Sequence, residues 1–409
     1  MKKCVLVLPF LFLLLMISCG EDGSGKTDYS AADELDQIAE SGLKDSLFAG
    51  AVLLVGDLDG VLHQRAFGYA EQIDFGGFEI ESPVEMTNNH LFDLASLTKV
   101  LGTTLGVMVL HDRNQININD PLHKYLPEFD TPDKQSITLA HLLSHTSGLV
   151  QWFPSFYEAN SPEERLQFTV DEPLLGTPGE TRRYSDFGFM VLGDVIESVS
   201  GQSMDQFLAE NIYRPMGLNS TVFNPDTAKF SLVATSHGNP FEKRMVYDDD
   251  FGYTVDVDPE SWNGWREHTL KGEVNDGNAF YTQGGVAGHA GLFSTAEEVY
   301  ALLKLFINNG RFEGEELFSP ETIDLFTEKD EFGHGLGWMM SEASLNTVDL
   351  TEGSFGHTGF TGTNIIVSPE KGRILVFLTN RQHFGVDEDG QYPNLREIRE
   401  KLSVVVFEE

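Results

Sequence analysis

The stretch Phe92-Asp93-Leu94-Ala95-Ser96-Leu97-Thr98-Lys99 runs straight into Val100-Leu101-Gly102-Thr103-Thr104-Leu105-Gly106-Val107-Met108-Val109-Leu110. The apolar run is expected to form a buried helix over about 97–112. Ser96 and Lys99, three residues apart, then share one face of it. A lysine beside a serine hydroxyl, partly withdrawn from water, can lose its proton and act as a base. A helix N-terminus at Ser96 also favours negative charge there. Spacing alone does not establish this, because Ser41-Gly42-Leu43-Lys44 fits it equally well. That second pair sits in a charged N-terminal helix, where a solvated face is the simpler reading. Ser96 instead opens an apolar helix.

Working outward, the N-terminal side reads as a helix over about 31–46, with Leu35, Ile38, Leu43 and Leu47 near helical spacing. Strands follow at 51–55 and 61–69, joined by the hairpin turn Asp57-Leu58-Asp59-Gly60. The C-terminal third reads as short strands at 335–340, 353–357, 363–368 and 373–379. Pro369-Glu370-Lys371-Gly372 is the turn between the last two, and a helix closes the chain over about 395–407. Between these ends the pattern is helical: 97–112, 138–145, 186–200, 203–212, 295–309 and 319–328. Ser294-Thr295 followed by Glu297 and Glu298 supplies a capping signal. The expected fold class is therefore α+β. One antiparallel sheet is built from both termini with flanking helices, a mainly helical lobe is inserted in it, and a cleft lies between the lobes.

The chain has 409 residues, 41 % hydrophobic and 22 % charged, which is ordinary globular usage and enough to bury a core without a disulfide or metal. With 27 basic and 64 acidic residues the net charge is −37. Such a field repels phosphate backbones and anionic head groups, so nucleic-acid binding is excluded, and solubility is the simplest meaning of the acidity. Lys2 and Lys3 precede an apolar run over 5–17, too short for a comfortable membrane span. Ser18-Cys19 and the small polar stretch Gly20-Glu21-Asp22-Gly23-Ser24-Gly25 come next. This resembles a bacterial lipoprotein signal, with Leu15-Met16-Ile17-Ser18-Cys19 as the lipobox and Met16 where leucine is usual. The only cysteines are Cys4 and Cys19, so after cleavage Cys19 has no disulfide partner. The expected organisation is a signal peptide over 1–18, a flexible tether over 19–30 and one domain over 31–409. Cys19 is the expected lipidation site, holding the protein on a bacterial envelope membrane and facing the periplasm or exterior.

Two further stretches carry candidate chemistry. Tyr184-Ser185-Asp186 follows Pro178-Gly179 and precedes a helix. A tyrosine near a lysine can share its proton. Tyr247-Asp248-Asp249 and Tyr392-Pro393-Asn394 have the same outline, so this site alone is weak. His357-Thr358-Gly359-Phe360-Thr361-Gly362 lies between two strands. Its glycines allow close approach of a substrate, and its N–H groups can stabilise an oxyanion, although a plain hairpin turn fits as well.

Taken together and in this order, Ser-x-x-Lys, Tyr-x-Asp and His-Thr-Gly resemble the three motifs of serine penicillin-recognising enzymes, specifically the class C β-lactamase, D-alanyl-D-alanine carboxypeptidase and esterase group. Ile137-Thr138-Leu139-Ala140-His141-Leu142-Leu143-Ser144-His145-Thr146-Ser147-Gly148-Leu149 and Gly284-Gly285-Val286-Ala287-Gly288-His289-Ala290-Gly291-Leu292-Phe293-Ser294-Thr295 match that group too, and the likeness spans roughly 31–405. The resemblance implies a β-lactamase/transpeptidase-like fold and an acyl-enzyme on Ser96. Lys99 and Tyr184 would take and return the proton, and the N–H groups of Ser96 and Phe360 would hold the oxyanion. Asp186, His357, Thr358 and Gly359 would lie on the substrate side, His357 orienting a substrate carboxylate or shaping the rim.

Two positions depart from the commonest pattern. Asp186 stands where Asn is usual, and an ionised carboxylate cannot donate to a substrate carbonyl. His357 stands where efficient class C β-lactamases have Lys. Both favour ester or peptide hydrolysis over β-lactam turnover. The expected activity is therefore that of a serine hydrolase on ester or amide substrates, carboxypeptidase-like or esterase-like. The expected partner is a small-molecule or peptide substrate, without cofactor or metal, and a monomer is expected. A weak β-lactamase and a non-catalytic binding protein of the same fold are the alternatives. The aromatic segment 237–283 either walls the cleft or packs on itself as a surface insertion. No His-Glu-x-x-His, phosphate-binding glycine loop or Gly-x-Ser-x-Gly elbow occurs.

Overall fold

The sheet forms around a strand that is buried on both faces, β1 (Gly50–Gly56). A computed structural model describes residues 29–408. The expected signal peptide, Cys19 and the tether up to residue 28 lie outside the described residues. Beside β1 run β2 (Val61–Ile73), β3 (Glu79–Glu85), β4 (Phe355–Thr358), β5 (Asn364–Ser368) and β6 (Arg373–Thr379). The order is β4-β5-β6-β1-β2-β3, antiparallel throughout. The two termini thus meet in mid-sheet, where β1 pairs with β6. Side chains alternate across a strand. Leu53 and Val55 therefore pack under α1 (Ala32–Lys44) and the closing helix Arg396–Glu408, with Leu35, Ala39 and Leu402. Val52 and Leu54 point to the other side, into a core shared with Val299 and Leu303 of helix Ala296–Ile307. Each such buried aliphatic side chain stabilises the fold by about 1.5–3 kcal/mol. The sheet is therefore the rigid base from which β4 presents the His-Thr-Gly stretch. Strand β3 is the far edge, and its exposed Glu79, Glu81 and Glu85 discourage pairing with another chain.

The inserted lobe is mainly helical, as the pattern predicts, and helix Asp186–Ser200 has the expected bounds. The helix expected over 97–112 is present, but Lys99–Thr104 is π-helical and α-geometry begins at Leu105. The same happens in the helix expected over 203–212, where Met204–Leu208 is α-helical and Ala209–Tyr213 is π-helical. Single π turns concentrate at functional sites, and periodicity is too coarse to show them.

The strand expected over 335–340 is a correction. Gly337 adopts φ 89°, which breaks an extended run. Its N–H bonds Leu143 O at 3.0 Å, and only Met339 bridges to Gly356 on β4. Strand β3 and the helices Pro162–Asp171, Pro240–Tyr247 and Gly277–Gln283 were not expected from the pattern. All are short or largely polar, and they owe their form to neighbours.

Candidate active site

The turn that carries Ser96 is built before the helix begins. Ala95 has φ 46°, a conformation that non-glycine residues adopt at a cost. Asp93 holds it, with Oδ1 accepting the Ala95 N–H at 2.8 Å and Oδ2 the Asn275 N–H at 2.6 Å. Burial pushes the Asp93 carboxyl up to about 6, against the pull of those two donors. The loop after β4 is tied to the same turn. Thr361 Oγ1 donates to Asp93 O at 2.7 Å and Thr363 Oγ1 to Leu94 O at 3.1 Å. A Cβ on Gly359 would lie 2.0 Å from Thr363 Oγ1 and 2.7 Å from Leu94 O, so only glycine fits this junction. The carbonyl of Phe360 is held by Arg381 Nε at 3.0 Å, Arg381 Nη2 at 2.7 Å and Gln382 Nε2 at 3.1 Å.

Lys99 is fully buried. Its Nζ donates to Ser96 Oγ at 3.0 Å and to His289 O at 3.2 Å, and pairs with Asp186 Oδ1 at 2.8 Å. The Tyr184 ring centroid lies 4.9 Å from Lys99 Nζ, and Tyr184 lines the same cavity wall as Ser96. Burial pulls the Lys99 pKa down, but the charge of Asp186 leads the effects that outweigh it and hold the amine above the ordinary lysine range. This corrects the expectation that desolvation alone would free the amine. The resting group is an ammonium whose three N–H bonds are all used. Burial likewise raises Tyr184, against the pull of Lys99, so its phenol keeps its proton.

A second histidine sets Tyr184 in place. The short helix Leu139–Leu143 is closed by reciprocal bonds between Thr138 and His141. The chain then turns at His145, φ 60°. His145 O accepts the Arg183 N–H at 2.8 Å and its Nδ1 accepts the Ser185 N–H at 3.0 Å, gripping the backbone on both sides of Tyr184. Its ring lies 4.4 Å from that of Tyr184 and 5.0 Å from that of Phe189. Burial lowers the pKa of His145, so it is a neutral acceptor. Opposite, His289 pairs through Nε2 with Asp276 Oδ1 at 2.8 Å while its carbonyl receives Lys99.

The sequence-predicted residues divide accordingly. Ser96, Tyr184, Asp186 and Phe360 line one cavity of about 180 Å³, with Lys99 directly behind Ser96. His357, Thr358 and Gly359 are not part of that wall. His357 is 1 % exposed, donates from Nδ1 to Thr358 O at 2.7 Å and leaves Nε2 without a partner. Burial, then the charge of Lys99, lowers its pKa to about 3. It is a buried neutral ring, 6.1 Å from that of Tyr184, rather than a side chain at the rim facing substrate.

Segment 237–283 does both of the things open to it. Trp262 and Trp265 pack on each other and on Phe156, while Phe241, Glu242, Met245, Tyr253 and Asp276 face the cavity. Sequence reasoning assigned no role to His145, His289, Asp276 or Glu242. The first two lay in stretches singled out above, yet a histidine among Ser, Thr and Gly does not announce its partner. Among the described residues, no group of His, Cys, Asp and Glu is arranged to hold a metal ion.

Known proteins share this architecture. The family described as Beta-lactamase matches residues 35–400. A putative D-alanyl-D-alanine carboxypeptidase of Escherichia coli (strain K12) is 32 % identical over 359 residues, covering 82 % of this chain and 79 % of the relative. An N-acetylmuramyl-L-alanine amidase of Bacillus subtilis (strain 168) is 30 % identical over 383 residues, covering 89 % and 84 %. Among solved structures, EstCE1, a hydrolase with promiscuous acyltransferase activity, superposes with a TM-score of 0.69 at 21 % identity. The match covers 93 % of this chain and 99 % of that one, a likeness of fold.

Proposed function

We propose, since the chain belongs to the Beta-lactamase family of hydrolases, that it cleaves ester or amide substrates through an acyl-enzyme on Ser96. The observation that carries this reading is the contact of Lys99 Nζ with Ser96 Oγ at 3.0 Å, with the Tyr184 ring 4.9 Å from Lys99 Nζ, at the wall of a cavity. Ser96 Oγ attacks the acyl carbonyl while its proton passes to Lys99, which must first have lost the proton it carries at rest. The N–H groups of Ser96 and Phe360 receive the oxyanion. The Tyr184 phenol then donates to the leaving group and is reprotonated from Lys99. Water repeats the sequence and frees Ser96.

The relatives' names point to cell-envelope peptides as one substrate source and to small esters as another. A carboxypeptidase-like or esterase activity fits both. The lipoprotein-like signal supports a tether at Cys19 on the outer side of an envelope membrane. The Cys19→Ser variant is expected in the soluble fraction or as uncleaved precursor. Unchanged membrane attachment at the normal mature mass would refute the tether.

A fluorophosphonate probe is expected to label Ser96 alone, as peptide mapping will read. The rival pair is inert for a visible reason: Ser41 Oγ donates to Ile38 O at 2.7 Å, and Lys44 is exposed. Labelling at Ser41, or none in folded protein, would sink the assignment and favour a non-catalytic binding protein.

A further inference from the structure

Every ionised or ionisable acid–base group on the cavity wall except His289 and the two tyrosines Tyr184 and Tyr253 is a carboxyl: Asp186, Glu242 and Asp276, with no lysine or arginine among them. Lys99 lies behind the wall and is already paired with Asp186, and His289 is paired with Asp276. Glu242 stands apart. It is 6 % exposed, its Oε1 accepts the Gly277 N–H at 2.9 Å, and its Oε2 has no hydrogen-bond partner. Buried polar atoms are seldom left so, because the desolvation cost is then not offset. Arg266, a cation whose charge reaches Glu242, cannot complete it. Its guanidinium is spent on Asn239 Oδ1 at 3.1 Å, Val274 O at 2.6 Å and Asn275 O at 2.6 Å. The remaining wall is rich in aromatic rings, with Trp152, Phe241, Tyr253 and Phe360, and ring faces attract cations.

We propose that this cavity receives an acyl group bearing a protonated primary amine, so that the preferred substrates are aminoacyl esters, thioesters or amides. The inference rests on the acyl-enzyme reading and adds the chemical class of the acyl half. A primary ammonium brings the N–H donor that Glu242 Oε2 lacks, and the net charge of −37 steers cations toward the protein. An acyl group carrying a carboxylate meets only repulsion. The balance is simple. The Ser96 hydroxyl and an aminoacyl donor, R–CO–X with the ammonium carried on R, give the Ser96 aminoacyl ester and HX. Water then releases the amino acid. Burial, then the charge of Asp276, pushes the empty Glu242 carboxyl above the usual carboxylate range, with Asp186 adding to the rise and Gly277 N–H and Arg266 opposing it. Tyr281 and Tyr392 also face it. An arriving ammonium favours the ionised form, so binding releases a proton.

The test compares alanine methyl ester, N-acetylalanine methyl ester and methyl propanoate, each kcat/KM divided by the ester's own hydroxide rate to remove intrinsic reactivity. The free amine is expected to win by at least about tenfold, and Glu242→Gln to shrink that ratio. Equal normalised values with all three esters turned over overturn the amine inference and leave the hydrolase reading standing. If no ester is turned over and no probe labels Ser96, the hydrolase reading fails instead. Calorimetry on Ser96→Ala then decides the binding claim without chemistry. Tighter binding of alanine methyl ester than of methyl propanoate, with buffer-dependent proton release, supports it. Equal binding, or none, refutes it.

Discussion

Lys99→Met is expected to lower acylation of Ser96 by roughly 10²–10⁴-fold, the usual worth of a positioned proton-transfer group. Methionine approximates the length of the buried stem and removes only the amine. Removing one partner of a buried ion pair costs about 3–5 kcal/mol when the other is stranded. Asp186 is 18 % exposed, so water offsets part of that here. A fall in activity could therefore be confused with a fall in stability. The double variant Lys99→Met with Asp186→Asn removes both charges and keeps the shape, so it is expected to melt near the wild-type temperature or above. It must still acylate as slowly as the single variant, because no base remains. Stopped-flow acylation by p-nitrophenyl acetate, beside melting curves of all three proteins, reads both quantities. Recovery of the rate in the double variant would show Lys99 to be a structural cation.

The other strands of the sheet were legible because glycine and proline turns mark their ends, whereas β3, polar and exposed, was not. The 373–379 strand and the 186–200 helix are read to the residue for that reason. The 335–340 stretch misleads because it is apolar without being extended: Trp338 is buried, and Gly337 turns the chain between. At the site, the motifs taken together singled out Ser96, Lys99 and Tyr184, which the fold brings to one place. They could not give charge states, which are set by distances across the chain. Asp186 follows Tyr184 closely in sequence, and its partner Lys99 is far away, so a reading by motif placed it on the substrate side, where it does line the cavity, but could not show its ion pair with Lys99. His357, expected to orient a substrate carboxylate or shape the rim, is instead buried away from the cavity wall, and that burial keeps its ring neutral. Glu242 and Asp276 come from a segment with no motif at all, and only folding brings them beside Ser96.

Asp186→Asn is expected to move the rising limb of the acylation rate to lower pH. Burial is the largest influence on Lys99 and acts to lower its pKa; the Asp186 charge leads the opposing effects that leave it raised. Asparagine keeps an oxygen acceptor at that place and removes the charge. Burial then prevails, and the lysine falls toward or below its ordinary range. The sign follows directly. Below its pKa Lys99 is an ammonium and cannot take the Ser96 proton, so wild-type acylation climbs only as pH rises toward the alkaline side. In the variant the amine is available earlier. Each unit of displacement is worth about tenfold in amine fraction where both forms are mainly protonated, so the gain near neutrality is expected to exceed tenfold. Methyl or p-nitrophenyl acetate is the right substrate, since it carries no amine and does not report on the acidic cavity. The side-chain amide also offers an N–H to a substrate carbonyl, so nitrocefin turnover is expected to rise with it. A His357→Lys change, by contrast, would bury a second ammonium close to Lys99. An Asp186→Asn profile that keeps the wild-type limb, or falls below wild type at every pH in protein of unchanged melting temperature, would mean that the Lys99 proton is not what holds the rate down.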